Sequence, residues 1–170
     1  MVRNKSKNRD PADPEAIRAR ALRAVTRREY GARELQAKLV RTGASESVAR
    51  QVVEDFAARG WQSDARYAES VARVRIGQGY GPLRIRAELQ AAGVADTFIS
   101  AAIQEPEVGG WLACAHASYA HRFHTPPADA AGWQKAWRFL AQRGFSAEHI
   151  RSALKNVPDD AFDSTEGNAG

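Results

Sequence analysis

Very little in this sequence favours a secreted, disulfide-bonded or membrane-embedded protein. Cys114 is the one cysteine among 170 residues, so no intrachain disulfide forms and the chain suits a reducing compartment. No stretch approaches the roughly 20 apolar residues that a membrane-spanning helix needs. The basic amino terminus is not followed by the apolar run of a signal peptide. We therefore expect a soluble, cytoplasmic protein with no membrane partner.

Strand signals are also nearly absent. Ala, Leu, Arg, Glu and Gln dominate between glycines, and the apolar residues recur at helical spacing. Each such set should bury one face of its helix, as we expect for Tyr67, Val71 and Val74. The first helix has a clear start at Asp13-Pro14-Glu15, which places a capping carboxylate before a proline at the first helical position. Glycines, prolines and one threonine divide the rest into about nine short helices. These breaks fall at Gly31, Thr42-Gly43, Gly60, 77–82, Gly93, Pro106, Pro126-Pro127 and Gly144. The sequence predicts an all-α protein.

The helices repeat along the chain. Tyr30-Gly31, Leu35, Leu39 and Gly43 match Tyr80-Gly81, Ile85, Leu89 and Gly93 at a constant offset of 50 residues, and a fainter third copy includes Leu140 and Gly144. This predicts three tandem three-helix, helix-turn-helix-like repeats in an elongated, curved array. The predicted segments are a disordered basic tail at 1–13, repeats at 14–60, 61–105 and 106–156, and a disordered acidic tail at 157–170.

Positive charge is concentrated in the first two repeats. The chain carries a net charge of +5, and residues up to Gln104 hold 19 Lys and Arg against 12 Asp and Glu, whereas the remainder holds 6 against 8. This distribution favours an acidic partner, either nucleic acid or an acidic protein surface. Arg outnumbers Lys 20 to 5, which fits both bidentate recognition of phosphate or carboxylate and a compositional bias.

Several arginines are candidates for contacting that partner. Arg20, Arg23 and Arg27 stack along one edge of the first predicted helix, opposite its apolar stripe. At helical spacing, few acidic residues neutralise the charges of these three arginines, and the same holds for Arg28, Arg75 and Arg86. By contrast, Arg84 faces Glu88, and Arg73 pairs with Glu69. Each arginine is as compatible with a solvated face as with a partner contact. Together these arginines favour a surface that binds phosphates or an acidic protein partner: Arg20, Arg23, Arg27, Arg28, Arg66, Arg73, Arg75, Arg84 and Arg86.

No residue pattern predicts catalysis or a cofactor. The glycines of 77–81 follow a helix instead of a strand and no Lys-Ser/Thr comes after them, so we expect a flexible inter-unit turn and no nucleotide site. The spacing of Cys114, His121 and His124 matches no zinc pattern. Trp133 and Trp137 are expected to pack inward, with a stacking platform for bases as the alternative. We expect no enzyme, metal, cofactor or small-molecule substrate.

Three spaced segments resemble the RecX family, whose members are bacterial regulators of the RecA recombinase. These segments are 30–39, with sequence YGARELQAKL, 60–68, with sequence GWQSDARYA, and Gly79-Tyr80-Gly81-Pro82 leading to Glu88-Leu89 and Gly93. The resemblance runs from about Ala21 to Leu154 and is weaker in the third repeat. Ser63 and Ala32 stand where the family usually has Asp and Ser. The family-signature structural residues are Leu35, Leu39, Gly43, Asp64, Gly81, Leu89 and Gly93.

The resemblance implies a regulatory role in recombination and DNA repair. A RecX-like protein would bind within or at the end of RecA filaments on single-stranded DNA. It would mainly inhibit strand exchange, ATP hydrolysis and the coprotease activity that triggers the SOS response. The alternative is a direct nucleic-acid-binding protein that uses its helix-turn-helix-like units without RecA.

Overall fold

Nine α-helices form the part of the chain that the computed structural model describes, which is residues 13–104, 106 and 109–155. They are α1 (Pro14–Arg27), α2 (Ala32–Arg41), α3 (Glu46–Ala58), α4 (Asp64–Gly77), α5 (Pro82–Ala91), α6 (Asp96–Ala102), α7 (Gly110–Arg122), α8 (Ala130–Gln142) and α9 (Ala147–Lys155). No strand occurs in these residues. The tails predicted at 1–13 and 157–170 lie outside the described residues, apart from Asp13.

The helix starts follow the local sequence. The Asp13 side chain accepts a hydrogen bond from the Glu15 amide, and Pro14 opens α1 as predicted. Pro82 likewise opens α5. Ser63 caps α4, since its Oγ accepts from the Arg66 amide at 3.3 Å. Serine and aspartate are both good N-caps, so Ser63 can cap α4 as well as an aspartate would.

Each helix packs most extensively against the other two helices of its own triplet. We call α1–α3 unit 1, α4–α6 unit 2 and α7–α9 unit 3. The repeated positions have the same roles, because Leu35 and Ile85 are both fully buried. The glycine after each middle helix has a positive φ, 106° at Gly43, 80° at Gly93 and 88° at Gly144. The predicted fold class, an all-α array of three tandem three-helix repeats, is confirmed.

The buried side chains form two clusters instead of one. Unit 1 has its own core around Ile17 and Phe56. Units 2 and 3 share a second core that extends from Ala68 on α4 to Leu154 on α9. The prediction that Val74 faces this core is wrong: Val74 is 53% exposed, and α4 instead buries Ala68 and Ala72. Of the larger residues of α4, Tyr67, Val71 and Ile76 pack against this core and Val74 does not.

Side chains join unit 1 to unit 2. The Asp64 Oδ1 at the start of α4 accepts from the backbone amide of Ala32 at 2.7 Å and from Gln62 Nε2 at 2.8 Å. Gln62 Nε2 also donates to the Tyr30 carbonyl at 3.1 Å. The first amides of a helix have no partner within it, so the carboxylate of unit 2 acts as the cap that α2 lacks in its own sequence.

Backbone groups join unit 2 to unit 3. The Gly81 amide donates to the Arg143 carbonyl at 2.7 Å, and the Leu83 amide donates to the Gly144 carbonyl at 3.0 Å. The inter-unit turn at 77–81 is further anchored to unit 3, because Arg143 Nη1 donates to the Gln78 carbonyl at 2.7 Å. Hydrogen bonds thus tie the turn to unit 3 at both of its ends.

Within the described ranges, none of the helices is both long enough and apolar enough to cross a membrane.

Candidate partner-binding site

A groove between α1 and α2 gathers four cationic side chains on unit 1. It has a volume of about 200 Å³. We call it the arginine groove, and its lining residues are Arg20, Arg23, Ala24, Arg27, Tyr30, Lys38, Leu39 and Thr42. None of these residues has a carboxylate side chain, so the groove presents positive charge to solvent.

Helical spacing explains how three of the cations meet. Arg20, Arg23 and Arg27 lie on one edge of α1, as the sequence predicted, and this edge faces α2. Arg20 Nη1 donates to the carbonyl of Thr42, just after α2, at 3.0 Å. Arg23 and Arg27 are exposed, and in the described part of the chain they form no ion pair. Their guanidinium groups are thus available to an external anion.

The other side of the groove was not predicted. Lys38 and Tyr30 line it from α2 and from the loop before it, and Lys38 Nζ lies 5.7 Å from the centre of the Tyr30 ring. The sequence carried a signal for Lys38, since it lies four residues after the polar Glu34 and residues four apart share one face of a helix. Whether Lys38 would lie beside the arginines of α1 depended on the packing angle between α1 and α2, and the sequence does not specify that angle.

Arg28 lies beside this groove, but its charge is compensated. Its guanidinium is 3.7 Å from the centre of the Tyr30 ring and donates to Glu34, with Nη1 to Oε2 at 3.1 Å. The hydrogen bond to Glu34 raises the pKa of Arg28. The prediction that Arg28 is poorly compensated is wrong, because its acid comes from the next helix.

Glu88 pairs with a different arginine from the one predicted. Arg75 Nε and Nη2 on α4 donate to the two carboxylate oxygens of Glu88 on α5, each at 2.7 Å. This fork lowers the pKa of Glu88. Arg84, predicted to face Glu88, instead lies 5.0 Å from the centre of the Tyr80 ring. The prediction that Arg75 has no acid is therefore wrong.

Two more arginines of unit 2 also find acids on other elements. Arg86 Nη1 donates to Asp96 at the start of α6, so the prediction that Arg86 is uncompensated is wrong. Arg66 Nε donates to Glu29 of unit 1 at 2.9 Å. Both pairs are exposed, so each stabilises the fold only slightly.

Arg73 remains exposed on α4. In the described ranges it forms no ion pair, and the predicted pairing with Glu69 is absent there. The predicted arginines thus do not form one continuous surface. Within the described residues, Arg20, Arg23 and Arg27 lie together in the arginine groove with a fourth cation, Lys38.

The family-signature residues lie in the core, in turns or at unit junctions. Three are buried core leucines, Leu35, Leu39 and Leu89. Two are glycines with a positive φ after the middle helix, Gly43 and Gly93. Asp64 caps α2 from unit 2, and Gly81 contacts the backbone of unit 3.

The groups that we considered for metal binding do not converge. His124 lies beyond the end of α7, which carries Cys114 and His121. Among the residues that the structure describes, no three His, Cys, Asp or Glu side chains are placed to hold a metal ion.

The two tryptophans of α8 differ in their surroundings. Trp137 packs against the core of units 2 and 3, as predicted. Trp133 is 37% exposed, so the prediction that both pack inward is wrong for Trp133.

Comparison with known proteins finds relatives along most of the chain. The family models for the second and the third three-helix domain of RecX match residues 63–103 and 112–154. The regulatory protein RecX of Acidithiobacillus ferrooxidans (strain ATCC 53993 / BNL-5-31) is 46% identical over 144 residues, which are 84% of this chain and 89% of that protein. The regulatory protein RecX of Stenotrophomonas maltophilia (strain R551-3) is 41% identical over 142 residues, 83% of this chain and 86% of that protein.

The fold has a solved counterpart. The crystal structure of RecX from Lactobacillus salivarius superimposes with a TM-score of 0.71 at 19% identity, and the match covers 85% of this chain and 96% of that one. At this identity the likeness concerns the fold alone.

Proposed function

Because the chain belongs to the RecX family, we propose that it is a regulator that binds RecA filaments on single-stranded DNA. Its main effect on RecA is inhibition of the recombinase, ATPase and coprotease activities, and through this effect it acts in DNA repair and the SOS response. In this proposal the protein works in the cytoplasm as a binding protein, without catalysis of its own and without a cofactor. The extent of the relationship to proteins named regulatory protein RecX supports it.

The observation that carries the proposal is the arginine groove. Its four cations line one groove that has no carboxylate among its lining residues, so their electrostatic fields add. A guanidinium group binds phosphate or carboxylate through two parallel hydrogen bonds. A nucleoprotein filament offers both kinds of anion, on its DNA and on its protein surface. We propose that Arg23 and Arg27 make the main contacts, since neither has an ion pair among the described residues.

The remaining candidate arginines have a different role in this proposal. Arg28, Arg66, Arg75 and Arg86 are engaged by acids of the chain itself. They stabilise the junctions and helix pairs that hold the units in order. Arg73 and Arg84 stay candidate contacts on unit 2.

A matched pair of double variants tests the groove. Arg23→Ala with Arg27→Ala removes two groove charges, while Arg41→Ala with Arg50→Ala removes two exposed charges of unit 1 that do not line the groove. Hydrogen bonds to charged groups are worth about 1.5–3 kcal/mol each, so the groove variant should need at least about tenfold more protein for half-inhibition of RecA ATPase. The control should stay within about threefold of wild type. Equal loss in both variants, with helix content retained, would place the contact elsewhere.

The alternative function, direct binding of nucleic acid without RecA, is favoured by the same exposed cations, Arg23 and Arg27. It predicts binding of bare single-stranded DNA that weakens with salt, by a slope of about 0.7 for each phosphate contact. In that case the groove variant should lower the slope by about 1 to 2 relative to wild type, and RecA ATPase should not respond to the protein.

A further inference from the structure

The exposed tryptophan of unit 3 is part of a rigid aromatic pair. The rings of Trp133 and Trp137 stack with centroids 5.0 Å apart and planes 27° apart. Trp137 is fixed by its contact with the core of units 2 and 3. The helix turn beneath Trp133 is fixed as well, because Asp129 accepts from the Gly132 amide through its side chain and from the Trp133 amide through its carbonyl. The outer ring is thus held in place with one face open.

The open ring borders a cavity of about 370 Å³. Its lining residues are Trp133, Gln134, Trp137 and Arg138. Arg138 is exposed and forms no ion pair within the described ranges. The sequence of α8 contains Lys135 and Arg138 but no Asp or Glu, so this helix is locally basic in the less basic third of the chain.

We propose that Trp133 stacks against a base of single-stranded nucleic acid and that Arg138 contacts the adjacent phosphate. An aromatic face accepts any base, and a nearby cation supplies the backbone contact that such binding needs. The Gln134 amide adds a donor and an acceptor for a base edge. A protein partner would need a wider apolar patch than one ring, whereas a base matches a single tryptophan face. This inference rests on the proposed function, in which single-stranded DNA is present, and it adds a second contact on unit 3.

The chain contains a matched control for Trp133. Trp61 on unit 1 is 42% exposed, close to the value for Trp133. However, the Arg59 guanidinium lies 5.2 Å from the centre of the Trp61 ring, and Phe56 contacts it edge-on. A base has less open ring to stack on there, so Trp61→Ala should not weaken binding of DNA.

The experiment compares two labelled oligonucleotides of about 20 nucleotides, one of thymidine and one with the same phosphates but abasic sugars. Base stacking on an aromatic side chain contributes enough that Trp133→Ala should weaken binding to the thymidine strand by about 5- to 150-fold. Trp133→Phe should retain most of the affinity, and Trp61→Ala should stay within about twofold. On the abasic strand, wild type and Trp133→Ala should bind equally.

Two results would overturn the stacking site. One is wild-type affinity of Trp133→Ala for the thymidine strand. The other is the same loss on the thymidine and abasic strands, which would show that no base contacts Trp133. The ATPase of RecA separates the two failures. If Trp133→Ala binds the thymidine strand normally and still inhibits RecA ATPase, only the stacking site is wrong, whereas RecA ATPase that does not respond to the wild-type protein would refute the proposed function.

Discussion

The contact between Gly81 and Gly144 makes the junction of units 2 and 3 sensitive to a single methyl group. A Cβ on Gly81 would lie 2.5 Å from the Gly144 carbonyl oxygen and 2.7 Å from the Phe145 amide nitrogen, about 1 Å inside ordinary contact. These are backbone atoms, so no side chain can turn aside. Gly81→Ala must therefore push the two backbones apart.

The cost follows from what that separation breaks. The two inter-unit hydrogen bonds, Gly81 N to Arg143 O and Leu83 N to Gly144 O, contribute about 1 kcal/mol each. Overpacking of a tight contact costs about 1–3 kcal/mol more. We expect Gly81→Ala to lower the free energy of unfolding by about 3–5 kcal/mol.

Urea unfolding followed by far-ultraviolet circular dichroism measures this effect, and Gly77→Ala is the matched control. A Cβ at Gly77 would meet no atom within 4 Å, and alanine is the better helix former, so this variant should be neutral or up to about 1 kcal/mol more stable. If Gly81→Ala unfolds within about 0.5 kcal/mol of Gly77→Ala, the close approach of units 2 and 3 is not as described.

Two further predictions concern charged groups that join helices. Asp64→Ala removes the acceptor for the Ala32 amide and should lower the free energy of unfolding in urea by about 1–3 kcal/mol. Asp64→Asn keeps an oxygen at this position and should lose less stability. Equal losses in the two variants would contradict the capping role. Since Arg75 lowers the pKa of Glu88 in the folded chain, this pair stabilises the protein above the ordinary carboxyl pKa of 4.5, and the stability is lost as the pH falls below it. The melting temperature of wild type should therefore drop more steeply than that of Glu88→Gln between about pH 5 and about pH 3, and parallel curves would refute the coupling.

The fold was largely predictable because its signals are local. Glycines with a positive φ, such as Gly43 and Gly93, end the middle helices, and leucines at a constant offset fill equivalent core positions. The repeat makes each weak signal appear again. Val74 was assigned to the wrong face because helical spacing does not show how wide the buried stripe of a helix is. On α4 this stripe is centred on Ala68 and Ala72.

The charged surface was predicted less well, because ion pairs between helices do not follow helical spacing. Arg75 and Glu88 are 13 residues apart and Arg86 and Asp96 are 10 apart. A search at three and four residues misses both pairs. Spacing within one helix placed the edge of α1 with Arg23 correctly. It also predicted two pairs, Glu69 with Arg73 on α4 and Arg84 with Glu88 on α5, that form no ion pair in the described residues.

The exposure of Trp133 also depended on tertiary structure. Two aromatics at helical spacing indicate one face of a helix, but they do not show where the core beneath that face ends. In α8 the core reaches Trp137 and stops before Trp133. The position of that edge depends on how unit 3 packs on unit 2.

The central claim is that the protein acts on the RecA filament and does not merely compete for DNA. The most direct test is the single-stranded-DNA-dependent ATPase of RecA from the same organism, measured with increasing amounts of this protein beside a salt series of its binding to bare DNA. We predict loss of ATPase at protein concentrations too low to cover the DNA. Unchanged ATPase at saturating protein, with salt-sensitive binding to bare DNA retained, would contradict the claim.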